Sequence, residues 1–190
     1  MQKFRGLILL WLGVVLLSAC TATGVRRGTP DERRFAITDM RDEVLSELYA
    51  IKPDVRAQIR EASGYGVFDN ANVNVILASF GGGVGLVHDN RNNQETFMKM
   101  GEVGVGLGAG VKDFRVVFVF HNGAALDRFV NEGWSFGGQA DAAAKAGDLG
   151  AAVGGEAILD NVSVYQLTQS GLALQATVKG TRYWKDEDLN

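Results

Sequence analysis

Residues 101–110 read Gly-Glu-Val-Gly-Val-Gly-Leu-Gly-Ala-Gly, and this stretch is the strongest indication of the fold. Its alternate positions are glycines, with an apolar residue between each pair: Gly104, Gly106, Gly108 and Gly110. A period of two is typical of a β-strand, because successive side chains point to opposite faces. The stretch therefore predicts a strand with one bare face, open to close approach by a backbone, a helix or a ligand. A flexible loop is the alternative, but flexible linkers pair glycine with serine or other polar residues.

The same period of two begins at Tyr65 and continues through most of the chain. It predicts strands at 65–69, 72–80, 83–89, 95–100, 103–111 and 114–121, and further strands at 134–145, 149–158, 161–168, 171–179 and 181–184. Residues 90–93, Asn-Arg-Asn-Asn, form the clearest hairpin turn. A second glycine cluster, Gly81, Gly83 and Gly85, is also predicted to let sheet faces pack closely.

Helical patterns lie before this region and once within it. Thr29-Pro30-Asp31-Glu32 is a capping box, and the apolar residues that follow it, from Phe35 to Ile51, recur at spacings of about three and four. A shorter helix is predicted after Pro53, and another at 124–132. We therefore predict an α+β, β-dominated fold: an antiparallel glycine-rich β-barrel or sandwich covered by N-terminal helices and one short internal helix.

The first twenty residues predict export. Lys3 and Arg5 precede an apolar run that ends at Leu17, which is the layout of a signal peptide spanning residues 1–19. Leu17-Ser18-Ala19-Cys20 resembles the lipobox of bacterial lipoproteins, which implies cleavage before Cys20 and a lipid on its sulfur. An uncleaved membrane anchor is the alternative, although the run is short for a bilayer core that needs about 20 residues. Thr21 stands where an Asp would favour inner-membrane retention, so the resemblance implies the periplasmic side of the outer membrane.

Residues 20–30 then form a lipidated tether, and residues 31–190 a single domain. After cleavage the 19 basic residues fall to 17 against 22 acidic ones, a formal charge of −5, which argues against general nucleic-acid binding. Four arginines nevertheless gather near the tether: Arg26, Arg27, Arg33 and Arg34. They are candidate contacts for lipid head groups, and a solvated tether beside the membrane is the alternative.

Signals for chemistry are weak. Residues 133–137 fit the pattern G-x-S-x-G around Ser135, but His88 and His121 both precede that serine, against the order in α/β-hydrolases. Both histidines are predicted to be polar rim residues, and Asp186 with Asp188 to be a solvated tail rather than a calcium loop. We predict no catalytic residue, no metal site and no cofactor.

The order of features from residue 60 onward resembles the SYLF domain, a lipid-binding module of bacterial lipoproteins and eukaryotic endocytic adaptors. The matching segments are spread over about two thirds of the mature chain: residues 61–68 (EASGYGVF), 80–85 (FGGGVG), 104–110, 116–120 (VVFVF), 129–133 (FVNEG), 136–141 (FGGQAD), 147 and 150, 164–165, 170–174 (SGLAL) and 180. One departure is Ala146-Gly147-Asp148, where the family has a glycine-proline pair.

For some eukaryotic members the resemblance implies phosphoinositide and actin binding. For an exported lipoprotein it implies binding of phospholipid or another envelope lipid, without catalysis. The alternative is a structural or interaction lipoprotein that docks an envelope protein partner, with the membrane contacted only by the lipid on Cys20.

Overall fold

The first helix, α1 (Pro30–Ile51), begins at the predicted capping box. The Thr29 hydroxyl accepts a hydrogen bond from the Glu32 backbone N–H, and the Glu32 carboxylate accepts one from the Thr29 N–H at 2.8 Å. A second helix, α2 (Val55–Glu61), follows Pro53.

The computed structural model describes residues 28–75, 78–105, 110–133, 135–136, 156–159, 161–168, 171–172 and 179–190.

Nine strands and one further helix make up the remainder of the described chain. The strands are β1 (Gly64–Val75), β2 (Ala78–Asp89), β3 (Gln94–Val105), β4 (Gly110–Phe120), β5 (Ser135–Phe136), β6 (Glu156–Leu159), β7 (Val162–Thr168), β8 (Gly171–Leu172) and β9 (Lys179–Lys185). Helix α3 (Gly123–Glu132) lies between β4 and β5. Its N-cap is Asn122, whose side-chain oxygen accepts from the Ala125 N–H at 2.8 Å. The predicted internal helix is therefore confirmed.

All these strands belong to one antiparallel sheet. Its order is β5-β9-β3-β2-β1-β4-β7-β6, and β8 pairs with β7. Strands β1, β2 and β3 are successive neighbours, and β4 returns to lie on the other side of β1, which is the strand order of a Greek key. The turn at residues 90–93 joins β2 to β3 as predicted.

The predicted strand breaks are wrong in this region. The pattern predicted six strands between residues 65 and 121, whereas the structure has four longer ones. The prediction ended one strand at residue 69 and began the next at residue 72, yet Asn70 pairs with Gly83 in the middle of the β1–β2 ladder. The predicted strand 72–80 is the end of β1 and the beginning of β2, because alternation alone does not show where a chain reverses direction.

The stretch at residues 101–110 is divided in the same way. Residues 101–105 complete β3, Gly110 begins β4, and residues 106–109 lie outside the described part of the chain. Because β2 and β1 lie between β3 and β4, the two ends of the stretch are separated by three strand spacings, about 14 Å. The prediction of a single strand at 103–111 is therefore wrong.

The sheet is covered by helices on both faces. Helix α1 packs on one face through Ile37, Val44 and Leu48, and the buried residues of α2 belong to the same cluster. Helix α3 packs on the opposite face, where Phe129 contacts the rings of Phe68, Phe118, Phe120 and Tyr183. We call the buried cluster between the sheet and α1 and α2 the α1 core, and the buried cluster between the sheet and α3 the α3 core.

The predicted class, α+β with a β-dominated antiparallel sheet and helical cover, is confirmed. The described strands form one sheet rather than two, and no pairing among them joins β5 to β6 into a closed barrel.

Candidate functional site

The two described arginines of the candidate head-group set are held by the last residues of the chain. Arg33 Nη2 donates to Asp186 Oδ2 at 2.7 Å, and Arg34 Nε donates to the Leu189 carbonyl at 2.9 Å. Arg34 also pairs with Asp31 at 2.7 Å. We call residues 186–190 the C-terminal clasp, because they fix the beginning of α1 to the sheet. Arg26 and Arg27, like Cys20, lie outside the described residues.

Asp186 is the centre of the clasp. Its side chain is only 1% exposed, and its second oxygen lies 2.7 Å from Lys99 Nζ on β3. Burial alone would raise the pKa of this carboxyl. The hydrogen bonds from Lys99 and the Asp188 N–H, with the charges of Lys99 and Arg33, outweigh burial and hold the pKa below its ordinary value. The same hydrogen bond raises the pKa of Lys99.

The prediction of a solvated tail is therefore wrong for Asp186, although the Asp188 side chain is 70% exposed. Asn190 joins the clasp to the sheet, since its side chain accepts from the Phe97 N–H at 3.0 Å and donates to the Phe97 carbonyl at 2.8 Å. Leu189 is buried in the α1 core. These residues carry no pattern that distinguishes them from a solvated terminus, so nothing in the sequence indicates the clasp.

Two of the predicted close-packing glycines lie on β2 where no side chain fits. A Cβ at Gly85 would overlap the Val67 carbonyl oxygen and lie 2.5 Å from Phe68 Cδ1. A Cβ at Gly83 would overlap the Asp69 carbonyl oxygen and lie 2.8 Å from Met100 Cγ. Phe68 and Met100 both belong to the α3 core, so this core fills the space beside both glycines.

The positions of the other five glycines that were predicted to allow close packing do not test that prediction. Gly81 lies on β2 opposite Asn72 of β1 and Glu102 of β3. Gly104 lies near the end of β3, and Gly110 is the first residue of β4. Gly106 and Gly108 lie outside the described residues.

The two histidines and Ser135, which the sequence raised as candidates for catalysis or metal binding, each have different partners in the structure. His88 stacks on Tyr65, with ring centroids 5.2 Å apart, and its Nδ1 lies 3.7 Å from Glu95 Oε1. His121 Nε2 and Ser163 Oγ are 2.8 Å apart in a hydrogen bond. Ser135 pairs with Arg182 at the edge of the sheet. In the described part of the chain, no group of three or more His, Cys, Asp or Glu side chains is placed to hold a metal ion.

Exposed apolar residues are a feature that the sequence reading missed. Phe35, counted there among the recurring apolar positions of α1, is 75% exposed, and Trp184 of β9 is 41% exposed. Ile51, at the last position of α1, is 45% exposed. The helical pattern does indicate that Phe35 is exposed. Phe35 precedes the buried Ile37 by two residues and therefore projects about 200° away from it around the helix.

None of the helices in the described residues combines the length and apolar character needed to cross a bilayer.

Two comparisons connect this chain to known proteins. Beta cell expansion factor A of Aeromonas veronii is 31% identical over 163 residues, which are 85% of this chain. The match spans 60% of the length of that relative. The model of the Ysc84 family, described as Las17-binding protein actin regulator, matches residues 101–190. Residues 101–190 therefore carry a domain of the Ysc84 family, the SYLF domain that the sequence motifs predicted.

Proposed function

We propose that this chain is a non-enzymatic lipoprotein of the outer membrane whose SYLF domain binds phospholipid or another envelope lipid. The observation that carries the proposal is the family match at residues 101–190, which supports a role of the lipid-binding type. The sequence before the domain supports the anchoring, since Leu17-Ser18-Ala19-Cys20 is a lipobox pattern and Thr21 follows it.

The clasp supports an anchored arrangement. It binds the first turns of α1 to the sheet through Arg33 and Arg34, so the tether leaves the domain at a fixed point. A lipid on Cys20 would then hold the domain with the beginning of α1 nearest the bilayer. Two acyl chains or more give stable anchoring, because each buried methylene contributes about 0.8 kcal/mol.

Liposome flotation tests the lipid binding. The form to use is residues 21–190, which lacks the acylated cysteine but keeps both cores, since these lie between Ile37 and Leu189. We expect it to float with vesicles of zwitterionic or anionic phospholipid and to remain at the bottom of the gradient without them. Failure to bind vesicles of either kind would refute lipid binding by the domain.

The anchoring is tested separately in cells. Cys20→Ser should abolish the incorporation of labelled palmitate and release the protein from the membrane fraction. Thr21→Asp should move the protein from the outer to the inner membrane fraction, and Thr21→Ser is the matched control that should leave it in place. An unchanged distribution of the Cys20→Ser protein would contradict the lipoprotein assignment.

The second candidate function is docking of an envelope protein partner. The family description supports it, because it names a protein, Las17, as what members bind. Crosslinking in cells separates the two functions. A stoichiometric protein partner together with failed flotation would favour docking, whereas flotation without such a partner favours lipid binding.

A further inference from the structure

Exposed large apolar side chains are few in the described part of the chain, and two of the three lie at one end of the domain. Phe35 follows Arg34 in α1, and Trp184 precedes Asp186 by two residues. The ion pair between Arg33 and Asp186, at 2.7 Å, joins these two segments. The third residue, Ile51, lies 16 residues after Phe35 on the same helix, about 24 Å away along its axis.

The tether begins at this same end. Gly28 is the first described residue, and Cys20 precedes it by eight residues. Eight residues span at most about 28 Å when fully extended. A lipid on Cys20 therefore holds Phe35 and Trp184 close to a bilayer. The bilayer is then the surface that these two side chains meet most often. The inference thus rests on the proposed lipid anchor.

We propose that Phe35 and Trp184 enter the interfacial layer of the bilayer and are the contact through which the domain binds lipid. The Trp184 ring extends over Gly101, where an added Cβ would lie 3.1 Å from the ring atom Cη2. The glycine thus leaves room for the ring on the sheet, while part of the ring remains exposed. Tryptophan prefers the head-group region of membranes, because its ring is apolar and its N–H is polar.

The charges at this end are of both signs. Arg34 and Arg182 are beside the two aromatic residues, but Asp31 is 92% exposed in the first turn of α1. Binding to zwitterionic vesicles should therefore occur without anionic lipid, and it should depend little on salt concentration, since screening acts on long-range charge interactions. The matching partner is a zwitterionic phospholipid surface.

The test uses residues 21–190 with vesicles of phosphatidylcholine and phosphatidylethanolamine. In this form Trp134 and Trp184 are the only tryptophans, so Trp134→Phe leaves Trp184 as the single tryptophan, whose emission is followed. Vesicles should shift its emission to shorter wavelength, and acyl chains brominated near the head group should quench it more than chains brominated near the bilayer centre.

Three variants complete the test. Phe35→Ser and Trp184→Ser should each weaken vesicle binding about tenfold, as expected when one large apolar side chain no longer enters the interface. Ile51→Ser removes an exposed apolar residue from the far end of α1 and should bind as the unaltered protein does. Phe35 is mostly exposed, so its replacement leaves the fold intact even if Trp184→Ser disturbs packing over Gly101.

The outcomes separate this inference from the proposed function. Flotation of the unaltered protein with no change in Trp184 emission and no loss in the Phe35→Ser variant would overturn the docking contact while lipid binding stands. Equal losses in all three variants would also overturn it. Failure of the unaltered protein to float would refute lipid binding itself.

Discussion

Replacing Gly85 by alanine tests the close packing of β2 directly. This glycine lies between Phe68 of β1 and Met98 of β3 in the sheet, with its bare face towards the α3 core. An alanine Cβ would overlap the Val67 carbonyl oxygen and would lie 2.5 and 2.7 Å from two atoms of the Phe68 ring. Phe68 is fully buried, and its ring is 4.8 Å from the ring of Tyr183. The carbonyl belongs to the backbone of β1 and the ring is held in the buried core, so neither moves away easily.

The expected decrease in the free energy of unfolding of Gly85→Ala follows from two opposing effects. Overpacking a well-packed core typically costs about 1–3 kcal/mol. Alanine also restricts the unfolded chain more than glycine does, which returns about 0.4–1 kcal/mol. Because one of the overlaps is with backbone, the steric cost should lie near the upper end, leaving a net loss of about 2 kcal/mol. With a urea dependence of about 2 kcal/mol per molar, the unfolding midpoint should fall by about 1 M.

Gly101→Ala is the matched control. Its added Cβ would meet only the Trp184 ring, at 3.1 and 3.3 Å, and that ring is 41% exposed and can move outward. We expect a change in unfolding free energy of less than about 0.5 kcal/mol. Urea unfolding of residues 21–190, followed by circular dichroism, compares the two variants. Equal losses in both, or a Gly85→Ala protein as stable as the original, would show that β2 does not depend on close approach at Gly85.

Three further predictions concern the clasp, the α1 core and the tether. Asp186→Asn should cost about 2 kcal/mol at pH 7, as expected for a lost charged hydrogen-bond partner. Because the folded pKa is depressed, this stabilisation is present above pH 3.8 and is lost as pH falls through the folded pKa. Urea unfolding at pH 7 and pH 3 should therefore show the difference from the original protein shrinking in acid. Tyr165→Phe should cost about 1 kcal/mol in the same assay, because the buried hydroxyl donates to Gln58 Oε1 at 2.7 Å. Arg26→Gln with Arg27→Gln should weaken binding of residues 21–190 to anionic vesicles about 30-fold in flotation, at about 1 kcal/mol for each arginine; unchanged binding would favour the solvated tether.

The elements predicted correctly are those that short-range chemistry specifies. The capping box at Thr29 begins α1, Asn122 caps α3, and the asparagine-rich turn at residues 90–93 joins β2 to β3. In each case the side chains that satisfy the backbone lie within a few residues of the groups they bind. Such signals remain the same whatever the chain is packed against.

The features missed depend on partners far away in sequence. Asp186 was predicted to lie in a solvated tail rather than a calcium loop, but Arg33 and Lys99 contact it from 153 and 87 positions earlier in the chain. The strand breaks were misplaced because alternation gives the faces of a strand and not its ends or neighbours. The pairings of Asn70 with Gly83 and with Phe114 show that β1 continues through that position.

The packing at Gly83 and Gly85 bears on the proposed lipid binding. A bare glycine face admits either the protein's own side chains or a ligand, and on β2 Met100 and Phe68 occupy the space beside these two residues. A lipid chain inserted there would have to displace a core of aromatic rings in edge-to-face contact that also includes Phe118 and Tyr183. Lipid binding at this part of the sheet is therefore unfavourable, because it exchanges buried aromatic contacts for a ligand of similar polarity. The exposed end of the domain at Phe35 carries no such cost, so a vesicle surface is a more favourable partner there than a single lipid within the α3 core.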